Sequence, residues 1–558
     1  MMERRKSSFP AMPILLLESL IALGLLGQPL RFAMAASAAS ITGVVKDNSG
    51  KALRGARITA TSGPESISRF ADQAGRYKIN GLKPGNYQVT ATGWGFEQKR
   101  DNRELSGDVE MSFTLAPQWN VSRLSTADWL SALPENEETL TLRASCIRCH
   151  NLSYVFRRKG LTAPMWTNLV QYMGEFGDLL RGKPGGIPGG ASMFRATPEM
   201  AAKMGSILVK YFGPNSPVPT RDQVRHPNIS DAALRSTFRE YKAPARAYIH
   251  SVMPDSDGKY VWFTYFGQVS GKNEKLGRFE IATGEIREIQ LPSEASTMQV
   301  SKNARVWVAG DGKLYQVDAR TGEYSEYTPP MRIGRTMGEG EDSAGNIWLS
   351  GDTIVKFDPR TAKFEEFQIP KVSTPAEDYE RNLGNVRAEG QKEFWSRSYA
   401  LAVDSKDNIW YTAYDVGHIA RLDPKTKETK MYRVPDAIMI KGITVGPDDT
   451  VWFGNFVHGT LGKLDPNTGQ IEQYRPPTRY AEFYTPVADK KGNIWLSDFA
   501  GSQMTRFNPA TKEFTEYPLP APDGMVRFFG LDPQGRVWYV DFDTGKIGVL
   551  DPGDTVAP

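Results

Sequence analysis

The sequence predicts a multidomain, mainly β chain: a small β-sandwich, a short α-helical segment and a seven-bladed β-propeller, in that order. Three observations predict it. A tryptophan recurs at Trp262, Trp307, Trp348, Trp410, Trp452, Trp495 and Trp538, with gaps of 45, 41, 62, 42, 43 and 43 residues. Apolar residues alternate at period two, broken by turn residues, through residues 40–116. Between these regions the spacing becomes helical, around the only two cysteines of the chain.

The N-terminus reads as a secretory signal peptide over residues 1–35. Arg4, Arg5 and Lys6 precede a mostly apolar stretch from Pro13 to Leu26, and Ala33-Met34-Ala35 supplies a cleavage site, with Ala36-Ser37-Ala38 as a second option. Glu18 interrupts the apolar run, which argues against a transmembrane helix, and no other stretch is long enough to span a bilayer. The expected product is periplasmic or secreted, with no membrane span after cleavage. A net charge of +4 on 558 residues leaves no nucleic-acid footprint.

Residues 40–116 supply the sandwich. Ile41, Gly43 and Val45 lead into the turn Asp47-Asn48-Ser49-Gly50, and Arg57 to Thr61 is a second strand. Asp72-Gln73-Ala74-Gly75 turns into Tyr77 and Ile79, and Lys83-Pro84-Gly85-Asn86 turns into Tyr87, Val89 and Ala91. This pattern resembles the carboxypeptidase regulatory-like domain. The resemblance implies a prealbumin-like sandwich, grouped with carbohydrate-binding-like folds, and a role in stability or attachment. Trp94 and Phe96 form either an aromatic sugar platform or an edge-packing pair.

The helical segment covers residues 125–215. Pro134 to Ser145 has a helical pattern, and Thr197 caps a second helix with Pro198 at its first position, ending at Phe212-Gly213-Pro214. At the end of the first helix stands Cys146-Ile147-Arg148-Cys149-His150. C-x-x-C-H is the attachment signature of c-type haem: two thiols add to the vinyl groups and the histidine binds iron. A redox pair or disulfide does not need His150, and a zinc site needs more ligands nearby. Methionine is the usual second iron ligand, and Met165, Met173, Met193, Met200 and Met204 are the candidates. C-x-x-C-H, then Trp166 and Met173, then Tyr-Phe-Gly-Pro, resembles a subgroup of small bacterial monohaem cytochromes c. The resemblance implies Met173 as the axial ligand, with Met193 the alternative. Met200 and Met204, one turn apart, read as helix core. Residues 216–231 read as a linker, with His226 a solvated loop residue.

Residues 232–558 carry the tryptophan repeat. A turn precedes most of the tryptophans, as in Ser343-Ala344-Gly345-Asn346 and Lys490-Lys491-Gly492-Asn493. A strand such as Ile419 to Asp423 follows, then a strand ending in Tyr-x-x-Pro. A period near 43 with four short strands per unit is a β-propeller. The 62-residue gap holds an insertion around Pro370 to Arg397. The last blade ends at Leu550-Asp551-Pro552 without an outer strand, and Thr237 to Pro244 matches that missing strand, so it is expected to complete the blade. The repeat resembles virginiamycin B lyase. That resemblance implies a seven-bladed propeller and a ring-opening β-elimination by inner-strand histidines with a carboxylate and Mg2+. The matching segments here, Tyr484-Thr485-Pro486-Val487 and Arg527-Phe528-Phe529-Gly530, contain no histidine. Asp541 lies near the carboxylate position and also fits an ordinary blade.

Tyr248, His250, Tyr399, Lys441, Tyr484, Arg527 and Phe528 fall on or near inner strands, with Arg335, Glu339 and Glu341 from another blade. Together they suit a polar or anionic ligand, or they are simply wet strand ends. His418 and His458, in similar places of adjacent blades, are either a metal pair or shared loop chemistry. Three readings follow. The first is an exported c-type cytochrome with one covalent haem and a redox partner protein, coupled to a propeller that binds a ligand or substrate; as an enzyme it would be a periplasmic redox subunit. The second is a carbon–oxygen lyase, with Mg2+ by analogy alone. The third is a noncatalytic redox sensor that binds carbohydrate or a partner.

Overall fold

The computed structural model describes residues 39–147, 150–179, 197–224, 229–244, 248–266, 275–293, 297–301, 303, 305–310, 312–333, 338–373 and 392–554. The proposed signal peptide, Arg148, Cys149, Lys183 to Gly190, Met193, His226 and Arg335 lie outside these residues. So do the side chain of Glu339 and the middle of the insertion.

Residues 39–115 form two β layers. One pairs Ala39–Asp47 with Arg76–Leu82 on one side and with Val109–Glu110 and Phe113–Leu115 on the other. The second runs Glu65–Phe70, Arg57–Ser62, Gly85–Thr92, Gln98–Leu105. The period-two residues Ile41, Val45, Tyr77, Ile79, Val89 and Ala91 meet in one buried cluster between the layers.

Five α-helices follow among the described residues: α1 (Thr126–Ser131), α2 (Glu137–Cys146), α3 (Ser153–Phe156), α4 (Ala163–Leu179) and α5 (Pro198–Phe212). The first long helix starts three residues later than the pattern from Pro134 suggests. Asn136 and Thr139 cap it reciprocally, leaving Pro134 outside. In α5 the Thr197 hydroxyl accepts from the Met200 N–H, with Pro198 at the first position. Trp166 of α4 and Ala201, Met204 and Leu208 of α5 join one buried cluster. The short helix α6 (Asp231–Leu234) leads into the next strand.

The rest of the described chain is built from consecutive antiparallel sheets. Four complete meanders begin at Tyr248–Pro254, Thr297–Val300, Ile440–Val445 and Phe483–Ala488. The third blade has Ile347–Leu349, Ile354–Asp358 and Lys363–Phe367, while its short Gly338–Glu339 pairs in parallel with the fourth blade's inner strand, Ser398–Val403. The tryptophans sit on the second strands and are buried. Their spacing has a repeated anchor. The carboxylates of Asp342, Asp404, Asp489 and Asp532, six residues before Trp348, Trp410, Trp495 and Trp538, hold the turn N–H groups and accept the indole N–H at 2.9 to 3.3 Å.

The seventh blade closes as expected. Phe529–Leu531, Val537–Asp541 and Lys546–Asp551 are completed by Thr237–Lys242, with Phe238 opposite Leu550. That strand does not end the sheet. Its free edge pairs with Glu65–Phe70, so the last blade and one sandwich layer form one eight-stranded sheet. The second partner satisfies backbone groups that an outer strand otherwise leaves open.

Candidate functional site

The helical segment that carries Cys146, Ile147 and His150 faces the propeller. Inner strands begin on one face of the disc, and α1 to α3 are seated there. A single apolar cluster joins Leu142, Ile147, Leu152, Val155 and Phe156 to Met439, Phe456, Val457, Phe499, Met525, Phe528 and Phe542. Polar contacts ring it. The Ala127 N–H donates to the Ala500 carbonyl at 2.9 Å. The Tyr154 hydroxyl donates to Asp543 at 2.7 Å, and Arg157 pairs with Asp523. Arg143, one turn before Cys146, donates to the Val457 carbonyl and lies over the Tyr480 ring at 4.7 Å.

Cys146 is the last residue of α2 and is half-buried. His150 follows, its Nδ1 2.8 Å from the Asn151 carbonyl oxygen. Only a protonated Nδ1 makes that contact favourable, so the Nε2 lone pair is left for another partner. Burial holds the imidazole below its ordinary pKa, the Asn151 hydrogen bond opposes this, and the Arg527 and Arg158 charges reinforce it. A neutral ring with Nδ1–H on a carbonyl is the state that binds metal through Nε2. Among the described residues, Cys146 and His150 have the chemistry that would hold a c-type haem. On α4, Met165, Tyr172 and Met173 leave an exposed apolar face, with Met173 37% exposed. Met204 is buried in the helix core, as its spacing suggests, and Met200 is half-buried. Among the described residues no three His, Cys, Asp or Glu side chains group as metal ligands.

The structure brings most of the inner-strand residues together below this segment. The Tyr399 and Tyr484 hydroxyls share a short hydrogen bond. Tyr484 meets Phe528 edge-on at 5.5 Å, and Phe528 contacts His250 at 5.2 Å. Tyr248 stacks on Phe542, and Arg527 lies over that ring at 4.1 Å. Lys441 is buried with its ammonium 3.8 Å from the Phe456 centroid and 4.2 Å from that of Tyr484, a cation held by ring faces. Glu341 stands apart, half-buried and bridged to Ile347.

Sequence reasoning missed Glu482, Asn151 and Met525. Glu482 is 0% exposed and neither carboxyl oxygen has a hydrogen-bond partner among the described residues. Burial raises its pKa to about 8; Asp498 adds to the rise, and Arg143 and Lys441 oppose it. The rings over the mouth had a signal that went unread: Tyr414, Phe456, Phe499 and Phe542 each stand four residues after a blade tryptophan.

Three other candidates resolve into structure. The Asp541 carboxylate accepts from the Met525 and Asp543 N–H groups and from the Thr544 hydroxyl, and Asp498 holds the equivalent loop one blade earlier. Asp541 is a loop anchor, with burial raising its pKa to about 6. His418 is the first residue of a strand rather than a loop residue, and its Nδ1 lies 2.8 Å from the Val416 carbonyl; neither it nor His458 belongs to a ligand cluster among the described residues. Trp94 is enclosed by Trp119 at 5.2 Å and the Arg221 guanidinium at 5.2 Å, and Phe96 packs on the sandwich core, so neither offers an open platform.

On the opposite face, a cavity of about 810 Å³ opens at the far ends of the inner strands and extends outward past Arg506, Glu513 and Asp554. Met253, Met298, Thr485 and Phe528 line its inner part.

Residues 389–557 match the virginiamycin B lyase family, and residues 40–116 match the carboxypeptidase regulatory-like domain. No curated protein matches the chain. Among solved structures, a streptogramin B lyase is 23% identical, covering 58% of this chain and 99% of its own, with a TM-score of 0.48. A virginiamycin B lyase from Staphylococcus aureus is 19% identical, covering 58% of this chain and all of its own, with a TM-score of 0.47.

Proposed function

We propose that this chain is an exported c-type cytochrome whose single haem is carried on the mouth of a virginiamycin B lyase-like propeller. The observation that carries the reading is His150: within C-x-x-C-H, its Nδ1–H is held by the Asn151 carbonyl and its Nε2 is left for iron. Cys146 and Cys149 would hold the haem covalently. Met173, on the exposed apolar face of α4, would supply the second protein ligand to the iron, with Met193 as the alternative. When bound, the haem supplies a one-electron iron couple. The residues of this chain do the rest. Burial keeps His150 neutral, and the apolar cluster shared with the propeller limits water on that side.

The propeller is proposed to bind a small molecule in its channel, supported by a cavity within the 300–1,000 Å³ typical of ligand sites. A redox partner protein would take or supply the electron. The signal-like N-terminus favours a periplasmic or secreted location, and among the described residues no helix is long and apolar enough to cross a membrane.

A lyase reading is favoured by the family match over residues 389–557. The mouth argues against it. Tyr484 and Arg527 occupy the segments where the resemblance puts histidines, and the Tyr399–Tyr484 pair is a poor base because burial raises the Tyr399 pKa far above its ordinary value. Two assays separate the readings. The chain, matured by a cytochrome c assembly system, is expected to give reduced-minus-oxidised haem bands that change in Met173→Ala. Incubation with a streptogramin B is expected to leave the ring closed. Ring opening by a haem-free preparation would reverse the choice.

A further inference from the structure

We propose that Met525, a residue of the propeller, is a positioning residue for His150. This inference rests on the haem reading above. Its basis is the way Asn151 is held. Asn151 is 0% exposed, and its groups are engaged on both sides. Its side-chain oxygen accepts from the Ser153 N–H at 3.1 Å and from the Ser153 hydroxyl at 2.5 Å. Its side-chain amide donates to the Asp523 carbonyl at 3.4 Å, and its backbone N–H donates to the Met525 sulfur at 3.4 Å. The Asn151 carbonyl then accepts from His150.

Met525 is itself immobilised. It is 0% exposed, its N–H donates to Asp541 at 3.2 Å, and its carbonyl accepts from the Phe542 N–H at 2.9 Å. A chain of contacts thus runs from the seventh blade through Asp541, Met525 and Asn151 to the imidazole. The helical segment supplies the ligand, and the propeller fixes the carbonyl that orients it. A firm hydrogen bond at Nδ1 makes an iron-bound imidazole more basic and favours ferric iron, which lowers the reduction potential.

The test is Met525→Leu in the full chain, matured with haem. Leucine keeps the apolar volume and removes the sulfur acceptor. The expected result is a folded protein with haem attached, an upward shift in midpoint potential, and displaced paramagnetic NMR signals of the axial histidine ring. Met525→Gln, which restores an acceptor at similar reach, is expected to move both readouts back toward the parent. Unchanged potential and histidine signals in Met525→Leu would overturn the inference while leaving the haem reading intact. Equal shifts in both variants would also overturn it, because packing rather than the acceptor would then be responsible. Absence of haem from the parent protein would instead remove the functional reading beneath it.

Discussion

Glu482 is the residue with the clearest consequence in solution. Its carboxyl is buried with no hydrogen-bond partner among the described residues, and the charges that act on it are those of Arg143 of α2, Lys441 of the fifth blade and Asp498 of its own. The folded-state pKa of about 8 lies above the ordinary 4.5, so the folded chain binds this proton more tightly than the unfolded chain. The linkage sign follows: the contribution is fully present below pH 4.5, declines as pH rises to about 8, and is constant beyond. The total is on the order of 5 kcal/mol. Glu482→Gln is expected to match the parent at pH 5 and exceed its stability at pH 8; denaturant midpoints at both values decide, and equal stability at pH 8 would refute it. A second residue effect concerns the small residue in the repeat. Gly277, Gly462 and Gly548 lie directly across from Phe263, Phe453 and Tyr539, and a Cβ on Gly462 would fall 2.2 Å from the Phe453 ring. Gly462→Val is therefore expected to destabilise by about 1–3 kcal/mol, and Phe453→Leu in the same chain to recover part of it, as read by chemical denaturation. The Leu-Gly or Ile-Gly step at these three positions is legible in the sequence. Its cause is not, because the partner ring is identified only by cross-strand register.

At the scale of elements, the sequence was most legible where local rules act. The Thr197 cap and Pro198 start of α5, the alternating strands of the sandwich and the tryptophan-bearing second strands all follow from short-range pattern. The Thr237–Lys242 closure was also legible, because an outer-strand pattern was missing at one end and spare at the other. Its second pairing, to Glu65–Phe70, was not, since joining segments about 170 residues apart leaves no periodic trace. That join predicts shared stability. Phe238 is 1% exposed and sits between Phe70 and Tyr539, at 6.4 and 6.3 Å. Phe238→Ala is expected to cost about 3–5 kcal/mol and to lower the melting of sandwich and last blade together. A sandwich that melts separately at an unchanged temperature would contradict the shared sheet.

For the whole molecule, the informative fact is that the helical segment is seated on the propeller mouth. Each part could be read alone, because a five-residue motif and a repeat near 43 residues are both written in sequence order. Their docking could not, because it depends on surfaces assembled from four blades and three helices. The docking brings the Arg527 charge to bear on His150 and seats the helical segment on the apolar cluster that includes Tyr484 and Phe528, with the channel cavity on the other side. Under the proposed haem reading, it makes the propeller part of the setting of the iron-binding histidine, and it leaves Tyr484 and Phe528 beneath the helical segment. The proposed function requires a covalently attached haem. Mass spectrometry of the denatured mature chain, made with a cytochrome c assembly system, tests that most directly. The account predicts the mass of the chain plus one covalent haem, lost when Cys146→Ser and Cys149→Ser are combined; the mass of the bare chain from the parent protein would contradict it.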